Sequence, residues 1–478
     1  MITNADYISI LPELMLSVFG VAVMMLEPLF APGTSRKPLG YLALAGTVVA
    51  FAATLFQARV PGTWFFGMVR VDAFSTFFHL LIIVVAALVV LTSFEYLDVQ
   101  QIRGGEYYGL ILFGAVGMVL MSSAVELVLI FIALEISSIS TYILAGFRRR
   151  FATSAEASIK YFLLGSFATA FFLYGVALTF GATGSTSVYP IANALRNGHT
   201  SAMVYVAVAL MFVGIGFKVA TAPFHVWTPD VYEGAPAPVV ALMSTAPKAA
   251  AFAVLLRIFF AAAAPGWFWP IWISAALSMT LGNIGALVQH NIKRMLAYSS
   301  IAHAGYLLVA FAAAQEIGIS AAIFYTAAYA FMNVGAFAVV SHFATAGERY
   351  VELDDYSGLG RRSPALAAIL TIFLLSLIGI PITGGFFAKF YVFSAALKSN
   401  LVWLTIIGVV NSAIAAYYYL RVIVVMYMRE PRTMDSVPRI RPALGVALAI
   451  SLLATIYLGV LPGRVLAFAV KSAQDLMR

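Results

Sequence analysis

The chain has 478 residues, 62% hydrophobic and only 10% charged, with a mean hydropathy of +0.96 and no cysteine. Soluble globular proteins carry roughly 25% charged residues, so the composition excludes a soluble domain, and the lack of cysteine excludes disulfides, iron–sulfur clusters and cysteine-bound zinc. The formal net charge of +8 is spread over short loops and is not read as nucleic-acid binding.

Apolar runs of about 20 residues, each long enough to cross a bilayer, recur along the whole chain. They predict about fourteen helices, near 7–27, 39–58, 73–93, 107–123, 126–146, 157–180, 203–225, 237–263, 269–289, 297–314, 318–344, 366–397, 401–427 and 443–462. The first run carries Asp6 and Glu13 and lacks a basic leader, so it reads as an uncleaved span rather than a signal peptide. An even count puts both termini on one side. With the N-terminus outside, the inner loops hold fifteen Lys and Arg residues and the outer segments, including Arg464, Lys471 and Arg478 in the tail, hold seven. The positive-inside rule therefore predicts both termini on the outer face.

The fifth span carries Glu135 in the middle of LIFIALEISSIS. A charge at the centre of a membrane helix costs about 2.5–3.5 kcal/mol on insertion scales, so it needs a partner or a cavity. Four of the eight lysines (Lys160, Lys218, Lys248 and Lys389) also fall inside spans, against only Arg257 and Arg421 among twenty arginines. Arginine is effectively always protonated, whereas a desolvated lysine can lose its proton near neutral pH. That asymmetry points to proton handling; the competing reading is buried charge that only locks helices together. Lys160 lies a few residues into its span, where a lysine can snorkel.

The seventh span reads GIGFKVATAPFHVW at 214–227 and is predicted to break at Pro223, loosened by Gly214 and Gly216. The twelfth reads LIGIPITGGFFAKF at 377–390 and is predicted to break at Pro381, Gly384 and Gly385. Each break has a lysine nearby, Lys218 and Lys389. Irregular backbone at membrane depth survives only inside protein or beside a wet cavity. Paired interrupted spans in corresponding positions point to inverted repeats.

The expected fold is therefore an all-α polytopic membrane protein with two inverted five-helix repeats, helices 4–8 and 9–13, and broken helices 7 and 12. Residues 1–106 form the first three helices, 107–263 and 264–427 the repeats, and 428–478 the last helix and tail. His225, beyond Lys218, and His303, in SSIAHAGY, are candidate bridges between lysines; His79 and His342 are read as structural. No phosphate loop, dinucleotide fingerprint or helical H-E-x-x-H zinc site is present. The membrane tyrosines and phenylalanines are read as packing and interface anchors rather than a quinone pocket.

The stretch KVATAPFHVWTPDVYEGAPAPVVALMSTAPK (218–248), with KRMLAYSSIAHAGY (293–306) and IGIPITGGFFAKF, resembles the antiporter-like subunits of the proton-pumping NADH:quinone oxidoreductase, respiratory complex I. Within them TPDVYEGAPAPV resembles the subunit N family. The resemblance covers essentially the whole chain. It implies that Glu135 is the family's helix-five glutamate, and that Lys160, Lys218, Lys248 and Lys389 are its lysines of helices six, seven, eight and twelve. It also implies a proton-translocating membrane-arm subunit with no cofactor of its own. NADH, FMN, iron–sulfur clusters and quinone would be used by other subunits, and the partners would be antiporter-like subunit M, small subunits such as K, and lipids. The expected setting is a bacterial inner membrane. In the expected mechanism Glu135 pairs with Lys218, whose proton passes through Lys248, assisted by His225 or His303 and water, to Lys389. A subunit of a multisubunit sodium/proton antiporter and a non-pumping structural subunit are the alternatives.

Overall fold

A computed structural model describes residues 3–31, 33–197, 201–261, 266–313, 316–344, 346–432 and 437–477. The predicted ends of the eighth and tenth spans, at 263 and 314, and Arg478 lie outside the described residues. Thirteen described helices are long and apolar enough to cross a membrane. The twelfth span, split into Pro364–Ile378 and Gly384–Lys398, brings the count to fourteen. The eighth span, Ala237–Phe259, is enclosed on all sides, and the tenth (Ile292–Ala312) and eleventh (Glu316–Phe343) nearly so. The first (Leu11–Leu29), second (Lys37–Gln57), sixth (Ala152–Thr183), thirteenth (Val402–Met428) and fourteenth (Pro442–Val460) form a more exposed rim. With apolar solvent outside, hydropathy does not sort these two groups; packing does.

Both termini lie on one face. The Asp6 carboxylate accepts from the Phe65 amide at 2.8 Å, and Asp475 accepts from the Ala73 amide at 3.1 Å. Both contacts converge on a small antiparallel hairpin, Gly62–Trp64 against Val69–Val71. The residues after the last span are not a simple tail. Gly463–Met477 is an amphipathic helix that buries Ala469, Ser472, Ala473 and Leu476 against the third span (Ala73–Val99) and the eleventh. Their i, i+3, i+4, i+7 spacing is the periodic signal of such a helix.

The two predicted breaks are present and share one local design. The seventh span ends at Val219, where Ala220 takes a left-handed conformation (φ 60°) and the Thr221 amide reaches back to the Gly216 carbonyl at 2.9 Å. The first half of the twelfth ends at Ile378, where Gly379 (φ 93°) and the Ile380 amide, donating to Leu375 at 3.0 Å, repeat the pattern. This is the six-to-one helix stop, which satisfies carbonyls that the chain can no longer pair. Pro223 and Pro381 lie inside the gaps, downstream of the stops, while Gly214 and Gly216 sit in regular helix. Gly384 and Gly385 open the second half-helix rather than the gap. A Cβ on Gly385 would overlap the Ser376 carbonyl oxygen of the first half. Gly385→Ala is expected to destabilise the fold by about 1–3 kcal/mol, as overpacking does. A lowered thermal midpoint of the detergent-solubilised complex checks this.

A third break was not expected. The eighth span is interrupted at Ser244–Thr245, between Ala237–Met243 and Ala246–Leu256. The sequence STAPK holds the signal, because Pro247 sits in the first turn of the second piece, where proline is tolerated. On the face opposite the termini, Glu348 gathers four donors. Its oxygens accept from Tyr96 (2.7 Å), the Ala237 amide (2.9 Å), Arg148 (2.9 Å) and Lys293 (2.7 Å). Lys293 also donates to the Glu233 and Ala235 carbonyls, so this one carboxylate ties the third, eighth and tenth spans to the loop after the fifth (Leu127–Ala145).

Candidate functional site

The breaks place three lysines in the interior. Lys218, Lys248 and Lys389 are 3%, 3% and 6% exposed. Lys218 occupies the last turn of its half-helix, and Lys389 donates to the Ile378 carbonyl, the final residue of the half-helix before it, at 2.8 Å. The Lys389 ammonium thus sits at a helix C-terminus, where unpaired carbonyls and the macrodipole favour a cation. Lys248 stands in the first turn of the second piece of span eight and donates to the Ser300 carbonyl at 3.2 Å.

Each buried lysine also donates to a serine on a neighbouring span: Lys218 to Ser138 at 2.9 Å, Lys248 to Ser300 at 2.6 Å and Lys389 to Ser412 at 2.8 Å. A hydroxyl carries one donor and two acceptor sites and rotates freely. It can accept from an ammonium and, turned around, donate to a neutral amine. Sequence reasoning passed over these serines. The signal that could have found Ser138 is its position one turn after Glu135.

Between Lys248 and Lys389 runs a chain of hydroxyls. Tyr329 donates to Ser300 at 2.8 Å, and its ring lies 5.0 Å from that of His303. His303 contacts the Tyr325 hydroxyl through Nδ1 at 2.7 Å and the Tyr419 hydroxyl through Nε2 at 3.4 Å. Tyr419 bonds Ser299 closely. Tyr306, whose ring lies 4.8 Å from the Lys389 ammonium, shares Asn283 with Tyr418. His303 therefore sits within the electrostatic reach of both lysines. These tyrosines, expected only to pack, supply most of the polar atoms in this stretch. Tyr325 and Tyr329, four apart on one helix, show how spacing could have placed them on a common face.

Between Lys218 and Lys248 the connection is aromatic. Lys218 lies 6.0 and 5.9 Å from the Tyr142 and Tyr161 rings, and Tyr161 stacks on Trp227 at 4.3 Å. The Tyr232 hydroxyl is buried without a hydrogen-bond partner among the described residues, its ring edge-on to Trp227 at 6.0 Å.

The other candidates are placed differently. Glu135 is partly buried on span five and acts electrostatically on Lys218, but the described structure holds no direct ion pair between them; Ser138 takes the contact. Lys160 is outside the buried row. Its side chain is 41% exposed and bonds Glu156 (2.6 Å) and Asp230 (2.8 Å), the latter also held by Arg294. His225 stands in the loop after the seventh span, partly exposed, without a hydrogen bond to any of the lysines among the described residues. Asp230, on the short helix Thr228–Gly234 between spans, is nudged upward by burial, but Lys160 and Arg294 outweigh that and hold its carboxyl below the ordinary value.

Broken helices thus surround a row of enclosed amines in a fold of membrane-length helices. Residues 124–415 match the family described as NADH:quinone oxidoreductase/Mrp antiporter, transmembrane. NADH-quinone oxidoreductase subunit N 2 of Koribacter versatilis is 70% identical, the match covering 100% of this chain and 99% of that one. The subunit N protein of Trichlorobacter lovleyi is 46% identical over 96% of this chain and 95% of its own. A chain of respiratory complex I from Thermus thermophilus superposes with a TM-score of 0.82 at 37% identity, covering 95% of this chain and 98% of that one. A chain of the Mrp complex from Dietzia shares the fold, with a TM-score of 0.88 at 21% identity over 100% and 98%. The protein belongs to the subunit N family of NADH-quinone oxidoreductase.

Proposed function

We propose that this chain is a membrane-arm subunit of a bacterial NADH-quinone oxidoreductase and that it translocates protons along its row of buried amines, driven by quinone reduction in other subunits. The observation that carries this reading is the lysine–serine pairing. Three enclosed amines each face a partner that can hold either protonation state, and a cluster of hydroxyls around His303 lies between two of them. An architectural charge would need only acceptors.

Transfer begins when a change in the neighbouring subunits moves charge or water at Glu135. Lys218 loses its proton as that carboxylate recedes, Ser138 turns to donate, and the proton crosses by Tyr161, Tyr232 and water to Lys248. From there Ser300, Tyr329 and His303 pass it toward Lys389, whose half-helix opens to the face of release. Moving one charge against the membrane potential requires about 2.3 kcal/mol per 100 mV, which the redox reaction elsewhere must supply. Residues 107–263 and 264–427 act as inverted copies; their shared helix-stop design at Ala220 and Gly379 supports this. NADH, FMN, iron–sulfur clusters and quinone belong to other subunits, subunits M and K are the expected neighbours, and the face carrying both termini is the outer one. The low identity to the Mrp chain favours this reading over a sodium/proton antiporter.

Ser300 tests the relay. In sealed vesicles holding the whole complex, Ser300→Ala is expected to lower the proton yield per NADH oxidised, and Ser300→Thr, which keeps the hydroxyl, to preserve it. Equal yields for all three proteins would remove the relay.

A further inference from the structure

Outside the lysine row, the first four spans enclose a second group of ionisable side chains near the termini face. Glu13, in the first turn of its helix, is 6% exposed, and neither carboxylate oxygen has a hydrogen-bond partner. Its polar neighbour is Ser123, at the end of the fourth span, Glu106–Ser123. His79, on the third span, is fully enclosed. The Gln57 side-chain amide donates to the Ser9 carbonyl, which turns its oxygen toward His79 Nδ1 at 3.1 Å. That oxygen can only accept, so Nδ1 carries the proton. Nε2 has no hydrogen-bond partner among the described residues, and the Val119 carbonyl, one turn before Ser123, lies near the ring. Glu13 and His79 border successive turns of the fourth span, and Ser9 ends the short helix Asn4–Ser9 just before the helix that carries Glu13.

An outward cavity lies one helical turn from His79. It has a volume of about 730 Å³ beneath the hairpin and is lined by Ala58, Arg70, Asp72, Thr76, Lys471 and Asp475. Ala58 follows Gln57 directly, and Thr76 is one helical turn from His79. Asp72 on its wall is bonded to the buried Arg257 at 3.0 and 3.1 Å, with Arg70 3.3 Å from the same carboxylate. Arg257 continues the helix that carries Lys248. The charged groups near His79 are Arg257 and Asp72.

We propose that Glu13 and His79 form a second proton-holding site, distinct from the lysine row, that exchanges protons with water in this cavity at the termini face. Through intervening water the Glu13 O–H bond breaks as the His79 Nε2–H bond forms, giving carboxylate and imidazolium with no change in net charge. The imidazolium then gives that proton to cavity water, and a proton from the interior restores the Glu13 acid. The site rests on the proton-translocating reading of the chain, not on the route through Ser300.

The test uses the intact complex in sealed vesicles, with infrared difference spectra recorded as pH is stepped on the termini face alone. A carboxylic-acid C=O band that responds to the step, is lost in Glu13→Gln and shifts in His79→Gln, together with a lowered proton yield per NADH in both variants, is the expected result. An unchanged yield in Glu13→Gln overturns the proposal, as does a band blind to the pH step. If Glu13→Gln does not assemble, Glu13→Asp and the wild-type spectrum decide by the same criterion. A responsive Glu13 band alongside unaffected Ser300→Ala would retire the lysine route and leave this site standing.

Discussion

Replacing Lys218 by arginine is expected to bring coupled proton translocation close to zero while the complex still assembles and still oxidises NADH with an artificial acceptor. Arginine keeps the positive charge at the end of the broken helix, near the Ser138 hydroxyl and the field of Glu135. It cannot give up its proton at any pH a membrane experiences. The substitution therefore separates two roles that lysine combines, a fixed cation and an exchangeable one. Lys218→Met removes both and is expected to be equally silent in pumping, with an added loss of stability from the unpaired interior. Proton uptake or release per NADH in sealed vesicles is the measurement. Normal stoichiometry in Lys218→Arg would assign the buried amines to architecture, and so would normal stoichiometry in Glu135→Gln combined with Lys218→Met.

The largest effect on stability is expected at Glu348, far from the proton row. Its carboxylate answers Arg148, Lys293, Tyr96 and the amide that begins span eight. Removing one partner of a buried charge network leaves the others uncompensated, at a cost of about 3–5 kcal/mol. Glu348→Ala is therefore expected to lower the thermal midpoint of the purified complex or to prevent assembly, whereas Arg432→Ala, at an exposed pair with Asp354, leaves it unchanged. Burial pushes the Glu348 carboxyl upward, but the charges of Lys293 and Arg148 outweigh it and hold the group below the ordinary glutamate value. A carboxyl depressed on folding adds stability that is complete above its unfolded value and is lost as pH falls through the folded one. The difference in midpoint between wild type and Glu348→Gln should thus be widest near neutrality and shrink under acid. A difference that grew on acidification would show that this carboxylate is not the ion that holds the cluster.

The candidate site was legible where chemistry is rare for its surroundings. Lysine in a span announces itself against an apolar background, and so do paired Pro-Gly clusters five helices apart. Lys218, Lys248 and Lys389 accordingly came from the sequence and lie enclosed in the fold. Serine and tyrosine give no such signal, because both are common in membrane helices and either can simply pack or bond its own helix backbone. Ser138, Ser300, Ser412 and the tyrosines around His303 acquire meaning only when separate spans meet. Lys160 shows the converse: its residue type and span suggested the interior row, yet it is answered by Glu156 and Asp230 at the rim.

The order of polar and apolar residues determined by itself that this chain crosses a membrane about fourteen times and that two crossings are interrupted. Those properties depend on transfer of local segments into lipid and on the backbone's need for hydrogen bonds, both of which are written residue by residue. Tertiary structure alone decided which amines are enclosed, which hydroxyls they face, that span eight is also broken, and that Glu13 and His79 are both enclosed by the first four spans. Such contacts join residues separated by tens to hundreds of positions, and they are set by the packing of small side chains between helices rather than by any local pattern.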